Sequence, residues 1–366
     1  MRKYYSLDNI LKCNAHYNLI IGERSNGKTY SVEDYGIKDY AVNGNQMAII
    51  RRWKDDFTGK RGEQMFSALV QNGLVEKYTN GLWNNITYRS SRWYFSRFDE
   101  KLDRMVLDNQ PFCFAFALSM GEHDKSISFP NVKTILFDEF LTRTGELPNE
   151  FVEFMNIVST IVRGRNDVKI FMCGNTVNLY SCYFTEMGLK KIKQMKKGTI
   201  DVYTYGNSDL RVAVEYSDNP SKKKDSDLYF AFDNPKLQMI TGGVWELGIF
   251  PHLPIKYVPK DIVFTYFICY ENEIYQCEII EKDNLTFTYI HRKTTPLKDE
   301  DSDLIYSQEF NSKPNFRRKI TQAFSEFESK IINFFKQDKV FYQDNEVGNA
   351  IMNYILWCKT DNITNR

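Results

Sequence analysis

The stretch NLIIGERSNGKTYSV, residues 18–32, constrains the fold of this chain more than any other feature. Leu19, Ile20 and Ile21 make a short apolar run that stops at Gly22. The eight residues Gly22, Glu23, Arg24, Ser25, Asn26, Gly27, Lys28 and Thr29 then read Gly-x-x-x-x-Gly-Lys-Thr. A strand that ends in such a loop and continues as a helix is the setting in which backbone N–H groups and a helix N-terminus wrap a phosphate. In that reading Lys28 reaches the β- and γ-phosphates of ATP, and the Thr29 hydroxyl ligates Mg2+. An ordinary glycine turn is the alternative, and the complete octapeptide with its flanks weighs against it.

Further apolar runs follow: QMAII (46–50), PFCFAFAL (111–118), VKTILFDEF (132–140) and VKIFMCGN (168–175). Alternation of such runs with longer segments predicts an α/β fold, a mostly parallel sheet flanked by helices. Ligands of these sheets bind at the carboxyl ends of the strands, where each run here turns polar. TILFDE carries the chemistry. Asp138 at a strand tip suits a magnesium shell, and Glu139, one residue on, suits a general base for water. A solvated loop start is the bland reading, and the loop about 110 residues upstream makes it the poorer one. In P-loop ATPases with this extra carboxylate, the strand carrying Asn175 lies between the loop strand and the Asp-Glu strand. Asn175 would then sit beside the γ-phosphate; a turn-forming Gly-Asn pair is its alternative.

Phe151, Phe154, Ile157, Val158 and Ile161 recur at helical spacing, so the segment PNEFVEFMNIVSTIVRGRNDVK reads as an amphipathic helix. Arg163 and Arg165 follow it. They fit a cation cap on the helix dipole and, equally, an arginine finger presented to a neighbouring subunit.

A chain of 366 residues most naturally makes two domains, and 42% hydrophobic with 26% charged residues reads as globular and soluble. No run approaches the roughly 20 apolar residues of a membrane span, and no signal-peptide pattern opens the sequence. Seven scattered cysteines and four isolated histidines argue against a disulfide framework or a zinc site, and for reduced thiols. The net charge of +1 is uninformative, whereas five lysines in KKIKQMKKG (190–198) fit either a solvated helix face or an anion-binding face.

Beyond them, SDNPSKKKDSD reads as an exposed connection, and DIVFTYFICYENEIYQCEIIEKDNLTFTYIHRK as a meander of three antiparallel strands. Ile320, Phe324, Phe327, Ile331 and Phe334 mark one amphipathic helix, and Val347 to Trp357 a second.

The succession IIGERSNGKTYSV, IIRRWKDDF, FPNVKTILFDEF, LPNEFVEFMNIVSTIVRGRNDVKIFMCGN and NLYSCYFTEMGL resembles the DNA-packaging ATPases of small podophages with protein-primed linear genomes. It covers residues 18–190 in order. The resemblance implies a P-loop ATPase domain of the ASCE class (1–196), a small linker subdomain (197–229) and an RNase H-like α+β vestigial nuclease domain (230–366). Gly22 to Thr29 becomes the Walker A loop and Asp138-Glu139 the Walker B pair. Arg163 becomes the finger acting in trans, Lys125 a basic residue approaching the neighbour's nucleotide, and Lys54 a residue turned towards the DNA. The implied activity is ATP-driven translocation of double-stranded DNA into a preformed capsid. The implied partners are the portal (connector), a packaging RNA as an open question, and sister subunits in a homo-oligomeric ring, a pentamer. No membrane is implied. The implied setting is the host cytoplasm and, transiently, the procapsid portal vertex, with no place in the mature virion. Two alternatives stay open: a complete terminase with an active metal-dependent nuclease, and a nucleotide-gated DNA-binding scaffold at the portal. A two-metal nuclease normally starts from an Asp on its first strand, and FTYFICY has none.

Overall fold

The computed structural model describes residues 4–120, 128–143, 145–218, 245, 248–297 and 301–360. The chain divides into two compact units, Met1–Arg143 with Asn149–Glu246, and Thr144–Pro148 with Leu247–Arg366.

The first unit is built on a ten-stranded sheet. Its strands are β1 (Tyr17–Gly22), β2 (Gln46–Arg51), β3 (Asn85–Arg89), β4 (Arg92–Asp99), β5 (Arg104–Leu107), β6 (Cys113–Ala117), β7 (Val132–Asp138), β8 (Lys169–Asn175), β9 (Thr199–Thr204) and β10 (Arg211–Tyr216). Their order is β3-β4-β6-β2-β7-β8-β1-β10-β9, with β5 on β4. The run β6-β2-β7-β8-β1-β10 is parallel throughout. Strand β8 therefore lies between the loop strand β1 and the Asp-Glu strand β7, as the extra-carboxylate class requires. Parallel strands are covered on both faces, and β1 is accordingly buried at every position. Leu19, Ile20 and Ile21 are each fully inaccessible. Each such side chain contributes about 1.5–3 kcal/mol by leaving water.

Helices α1 (Asp8–Leu11), α2 (Lys28–Asn43), α3 (Lys60–Gln64), α4 (Ser67–Gln71), α5 (Leu74–Tyr78), α6 (Glu150–Val162) and α7 (Cys182–Glu186) accompany this sheet. Helix α6 follows the expected pattern. It buries Phe154, Ile157, Val158 and Ile161, with Phe154 stacked on Phe137 of β7 at 5.2 Å between ring centroids.

Two differences from expectation have plain causes. Strand β4 joins the sheet antiparallel to β6, and β3 and β5 each pair antiparallel with β4. The tight turn from β3 to β4 is Ser90-Ser91, both with positive φ, which is primed-turn geometry made without the usual Asn-Gly or Asp-Gly. The supposed linker subdomain at 197–229 also needs correction, because β9 and β10 are strands of the main sheet. One side chain after another in β10 is apolar and buried (Val212, Ala213, Val214), and the strand pairs in parallel with β1. The polar connection after Asp218 lies outside the described residues.

The second unit holds a six-stranded sheet of β11 (Ile262–Tyr270), β12 (Glu273–Lys282), β13 (Leu285–Arg292), β14 (Ile305–Ser307), β15 (Phe316–Arg317) and β16 (Val340–Tyr342), ordered β15-β14-β11-β12-β13-β16. Strands β11, β12 and β13 form the expected antiparallel meander, and β14 and β15 add in parallel, as in an RNase H-like sheet. Helices α8 (Glu326–Lys336) and α9 (Asn345–Thr360) complete it. Helix α8 starts later than its apolar spacing predicts: the Ser325 side chain accepts from the Glu328 N–H and caps it, leaving Ile320 and Phe324 before the first turn. No helix among the described residues is long and apolar enough to cross a membrane.

Because β10 is part of the main sheet, a fragment ending at Asp218 is expected to unfold cooperatively on heating. One ending at Gly198 leaves β1 without one of its two parallel neighbours and loses the burial of Val212 and Val214, about 1.5–3 kcal/mol each. It should melt clearly lower by circular dichroism. Equal melting temperatures would return residues 199–216 to a separate linker.

Candidate functional site: a phosphate loop facing two carboxylates

The loop between β1 and α2 is held from outside by chain that closes over it. A Cβ on Gly22 would sit 2.3 Å from the Ser217 hydroxyl oxygen, so only glycine fits there. Gly27 has φ +91°, and a Cβ there would meet Tyr4 at 3.0 Å. The Asn26 amide donates to Ser217 Oγ (3.0 Å), Ser217 Oγ donates to the Ile21 carbonyl (2.9 Å), and the Tyr5 N–H donates to the Asn26 carbonyl (2.9 Å). Lys197, from the lysine run, pairs with Glu23 at 3.2 Å. That run is not one helix face: it contains only a 3-10 turn, Ile192–Gln194.

Lys28 begins α2, where the helix dipole and the first amides favour an anion. Its ammonium donates to the carbonyls of Gly22 (3.3 Å) and Glu23 (2.5 Å) and to the side-chain oxygens of Asn26 (3.2 Å) and Asn175 (3.3 Å). Burial pulls its pKa down to about 8, against the opposing pull of neighbouring groups led by Cys173 and Asp138. Asn175 pairs in register with Gly22, so the tip of β8 sits beside the loop.

Across from Lys28, Thr29 Oγ1 donates to Asp138 Oδ1 at 2.6 Å. Two hard oxygens this close are donors of the kind Mg2+ takes. Arg51, at the tip of β2, bridges both carboxylates, reaching Asp138 Oδ2 at 2.5 Å and Glu139 Oε2 at 2.9 Å. The Asp138 side chain is buried, whereas that of Glu139 is 64% exposed on a left-handed backbone with φ +55°. Arg24, Ser25, Asn26, Gly27, Lys28, Thr29, Asp138, Glu139 and Asn175 line one cleft of about 420 Å³ together with Tyr30, Cys173 and Gly174. The sequence-predicted loop, carboxylates and Asn175 thus converge.

Two groups at this site were not predicted as part of it. Arg51 was legible only as one of two polar residues ending an apolar strand. Its role depends on β2 lying beside β7. Glu33 lies one turn along α2 from Thr29. Burial pushes its carboxyl well above the usual range, the Asp138 charge adds to that, and Arg51 opposes it.

The two arginines after α6 separate cleanly. Arg165 donates to the carbonyls of Phe129, Pro130, Val132, Ile161 and Val162, so it ties the helix end to the start of β7. Arg163 is exposed at the helix C-cap with φ +44°, and it does not line the cleft of its own chain. Lys54 is exposed and begins a 3-10 turn after β2. Lys125 lies outside the described residues.

The low pKa of Lys28 makes ligand binding proton-linked. Above pH 8 the buried amine is increasingly neutral, and a phosphate beside it restores the charged form, so binding takes up a proton. Calorimetry of ATP binding at about pH 9, in buffers of different ionisation enthalpy, should show uptake approaching one proton, falling towards zero at about pH 6. Lys28→Met should abolish the linkage. Equal proton counts at both pH values would contradict the assignment.

A family model described as Podovirus DNA encapsidation protein (Gp16) matches residues 1–290. Curated relatives include the DNA packaging protein of Bacillus phage B103, 26% identical over 210 residues, which are 57% of this chain and 58% of that protein. The DNA packaging protein of Bacillus phage phi29 is 26% identical over 184 residues, 50% of this chain and 49% of that one. The match thus spans about half the length of these relatives. Among solved structures, the bacteriophage Phi-29 viral genome packaging motor assembly is similar with a TM-score of 0.56 at 17% identity, covering 97% of this chain and 100% of that one. The Phi-28 gp11 DNA packaging motor gives a TM-score of 0.57 at 17% identity, with all of both chains covered. These two likenesses concern the fold. The family match extends over most of the sequence, and the chain belongs to the Podovirus DNA encapsidation protein (Gp16) family.

Proposed function

We propose that this chain hydrolyses ATP and uses the energy to drive viral double-stranded DNA into a preformed capsid, acting at the portal vertex as a homo-oligomeric ring, a pentamer, in the host cytoplasm. A single observation carries the reading: the phosphate loop and the Asp138-Glu139 pair face each other across one cleft, joined by the Thr29–Asp138 hydrogen bond. The Gp16 family match and the packaging functions of the relatives support the choice of DNA as the cargo.

In this reading the loop amides and Lys28 orient the triphosphate, and Thr29 with Asp138 holds Mg2+. That ion, when bound, neutralises charge on the β- and γ-phosphoryl oxygens. Glu139 takes a proton from the attacking water. Its Oε2 is engaged by Arg51 at 2.9 Å, which leaves Oε1 as the oxygen to accept that proton. Arg163 stands outside its own cleft and reaches a neighbour's γ-phosphoryl oxygens from the subunit boundary, with Lys125 approaching the same nucleotide. Lys54 faces the DNA. A packaging RNA adaptor belongs to the same assembly question. In the second unit β11 carries no carboxylate of the kind from which a two-metal nuclease normally starts. This favours the motor over a complete terminase with an active nuclease.

Glu139→Gln should bind ATP and fail to turn it over, since only water activation is lost. Full turnover in that variant would remove Glu139 as the base, whereas ATP binding without turnover in the unmutated protein would favour the nucleotide-gated scaffold, whose cleft binds without hydrolysing. Arg163→Ala should bind ATP and lose on the order of 10³ in kcat. Mixing it with Lys28→Ala subunits, which keep the arginine but lack a working pocket, should restore part of the rate. A flat response at every mixing ratio would reduce Arg163 to a helix cap.

A further inference from the structure

Beside the cleft lies a buried polar network that the hydrolytic scheme above does not use. Arg52, one residue past β2, is buried in a region otherwise packed with aromatic rings. Its Nε donates to Glu150 Oε2 at 2.8 Å and its Nη2 to Glu150 Oε1 at 2.7 Å, a bidentate pair. The same guanidinium donates to two backbone carbonyls, Phe140 at 2.7 Å and Glu139 at 3.3 Å. Glu150 is the first residue of α6, and its side chain is fully inaccessible. Tyr183 of α7 donates to Glu150 Oε1 at 2.9 Å. Burial, and then the adjacent Glu150 carboxylate, push the Tyr183 phenol well above its ordinary value, so it stays a donor.

The carbonyls that Arg52 holds belong to a backbone that needs holding. Glu139 is a non-glycine residue with φ +55°, a conformation that persists only where its surroundings enforce it. The next residue, Phe140, is pinned on its other side by its N–H, which donates to the Cys173 carbonyl at 3.3 Å, and its ring lies against Gly174. The turn that aims the Glu139 carboxylate is therefore clamped between β8 and Arg52. A buried ion pair is on balance a weak source of stability, so stability alone does not account for this one.

We infer that Arg52 is a positioning residue for Glu139: with Glu150 and Tyr183 it locks the backbone turn that aims the general base, and it joins that turn to the N-terminal end of α6, whose far end carries Arg163. The inference rests on the hydrolase reading of the cleft. Helix α6 is 13 residues, about 20 Å long, and packed as a rigid rod. A displacement of its Arg163 end by a neighbouring subunit is transmitted through Glu150 and Arg52 to the Glu139 turn. Arg51 holds the Glu139 side chain and Arg52 its main chain, so the adjacent arginines grip the same residue from different sides.

The test compares the full-length protein with Arg52→Lys, which cannot make the fork, and with the triple replacement Arg52→Met, Glu150→Met, Tyr183→Phe, which fills the same space without buried charge. ATP affinity, melting temperature and kcat are measured for each, and Arg52→Lys is combined with Glu139→Gln. The expected result is kcat lower by about 10- to 100-fold with ATP affinity nearly unchanged, as a displaced base predicts. Single-turnover rates should show less than about threefold further loss when Arg52→Lys is added to Glu139→Gln, because both act through one carboxylate. An unchanged kcat in a folded variant overturns the inference. Losses that multiply in the double variant do so as well, as does parallel loss of fold and ATP binding in both replacements, which would leave the network a purely structural role. Wild-type protein without turnover overturns the hydrolase reading and this inference with it, and Glu139→Gln with full turnover overturns the role of Glu139 as base and, with it, this inference. An inactive Glu139→Gln beside a fully active Arg52→Lys overturns the inference alone.

Discussion

The hydrogen bond from Thr29 to Asp138 is the contact on which the rest of the site depends. It joins the first turn of α2 to the tip of β7, although β8 lies between β7 and the strand that feeds α2. It closes at 2.6 Å with the three parallel strands ending within two residues of one another: Gly22 of β1 pairs with Asn175 of β8, and Asp138 of β7 with Cys173 of β8. A slip of one residue in either pairing would turn Asp138 to the other face of the sheet.

Around that contact, cations are distributed by task. Lys28 is buried among oxygen acceptors and partly gives up its charge, which makes it responsive to an incoming anion. Arg51 spans the two carboxylates, and Arg165 is consumed by five carbonyls that fix the end of α6. Arg163, two residues earlier, is left exposed on a left-handed backbone. The two arginines around one glycine thus differ in setting: Arg165 is spent on carbonyls, and Arg163 is exposed at the helix end.

Much of the site could be read from the chain because its chemistry is local. Gly22 to Thr29 is one contiguous loop, and Asp138-Glu139 one strand tip. The meander β11 to β13 was legible from the polar breaks ENE and EKDN between its apolar runs, where Asn272, Asp283 and Asn284 are residue types that tolerate positive φ. What escaped reading depends on distant neighbours. Ser90-Ser91 turns as tightly but gives no such signal. Strand β10 reads like any alternating segment until β1 offers it an edge. Arg51 and Arg52 look like a polar strand end, and only the adjacency of β2 to β7 and the return of α6 give them carboxylate and carbonyl partners.

The account makes hydrolysis a response to cargo. The most direct measurement is therefore the steady-state rate of ATP hydrolysis by the full-length protein with and without long double-stranded DNA, at matched salt. Turnover that rises severalfold with DNA, and that disappears in Glu139→Gln with or without it, is the predicted result. ATP binding with no hydrolysis, or hydrolysis indifferent to DNA, would contradict the assignment of this cleft to a DNA-moving motor.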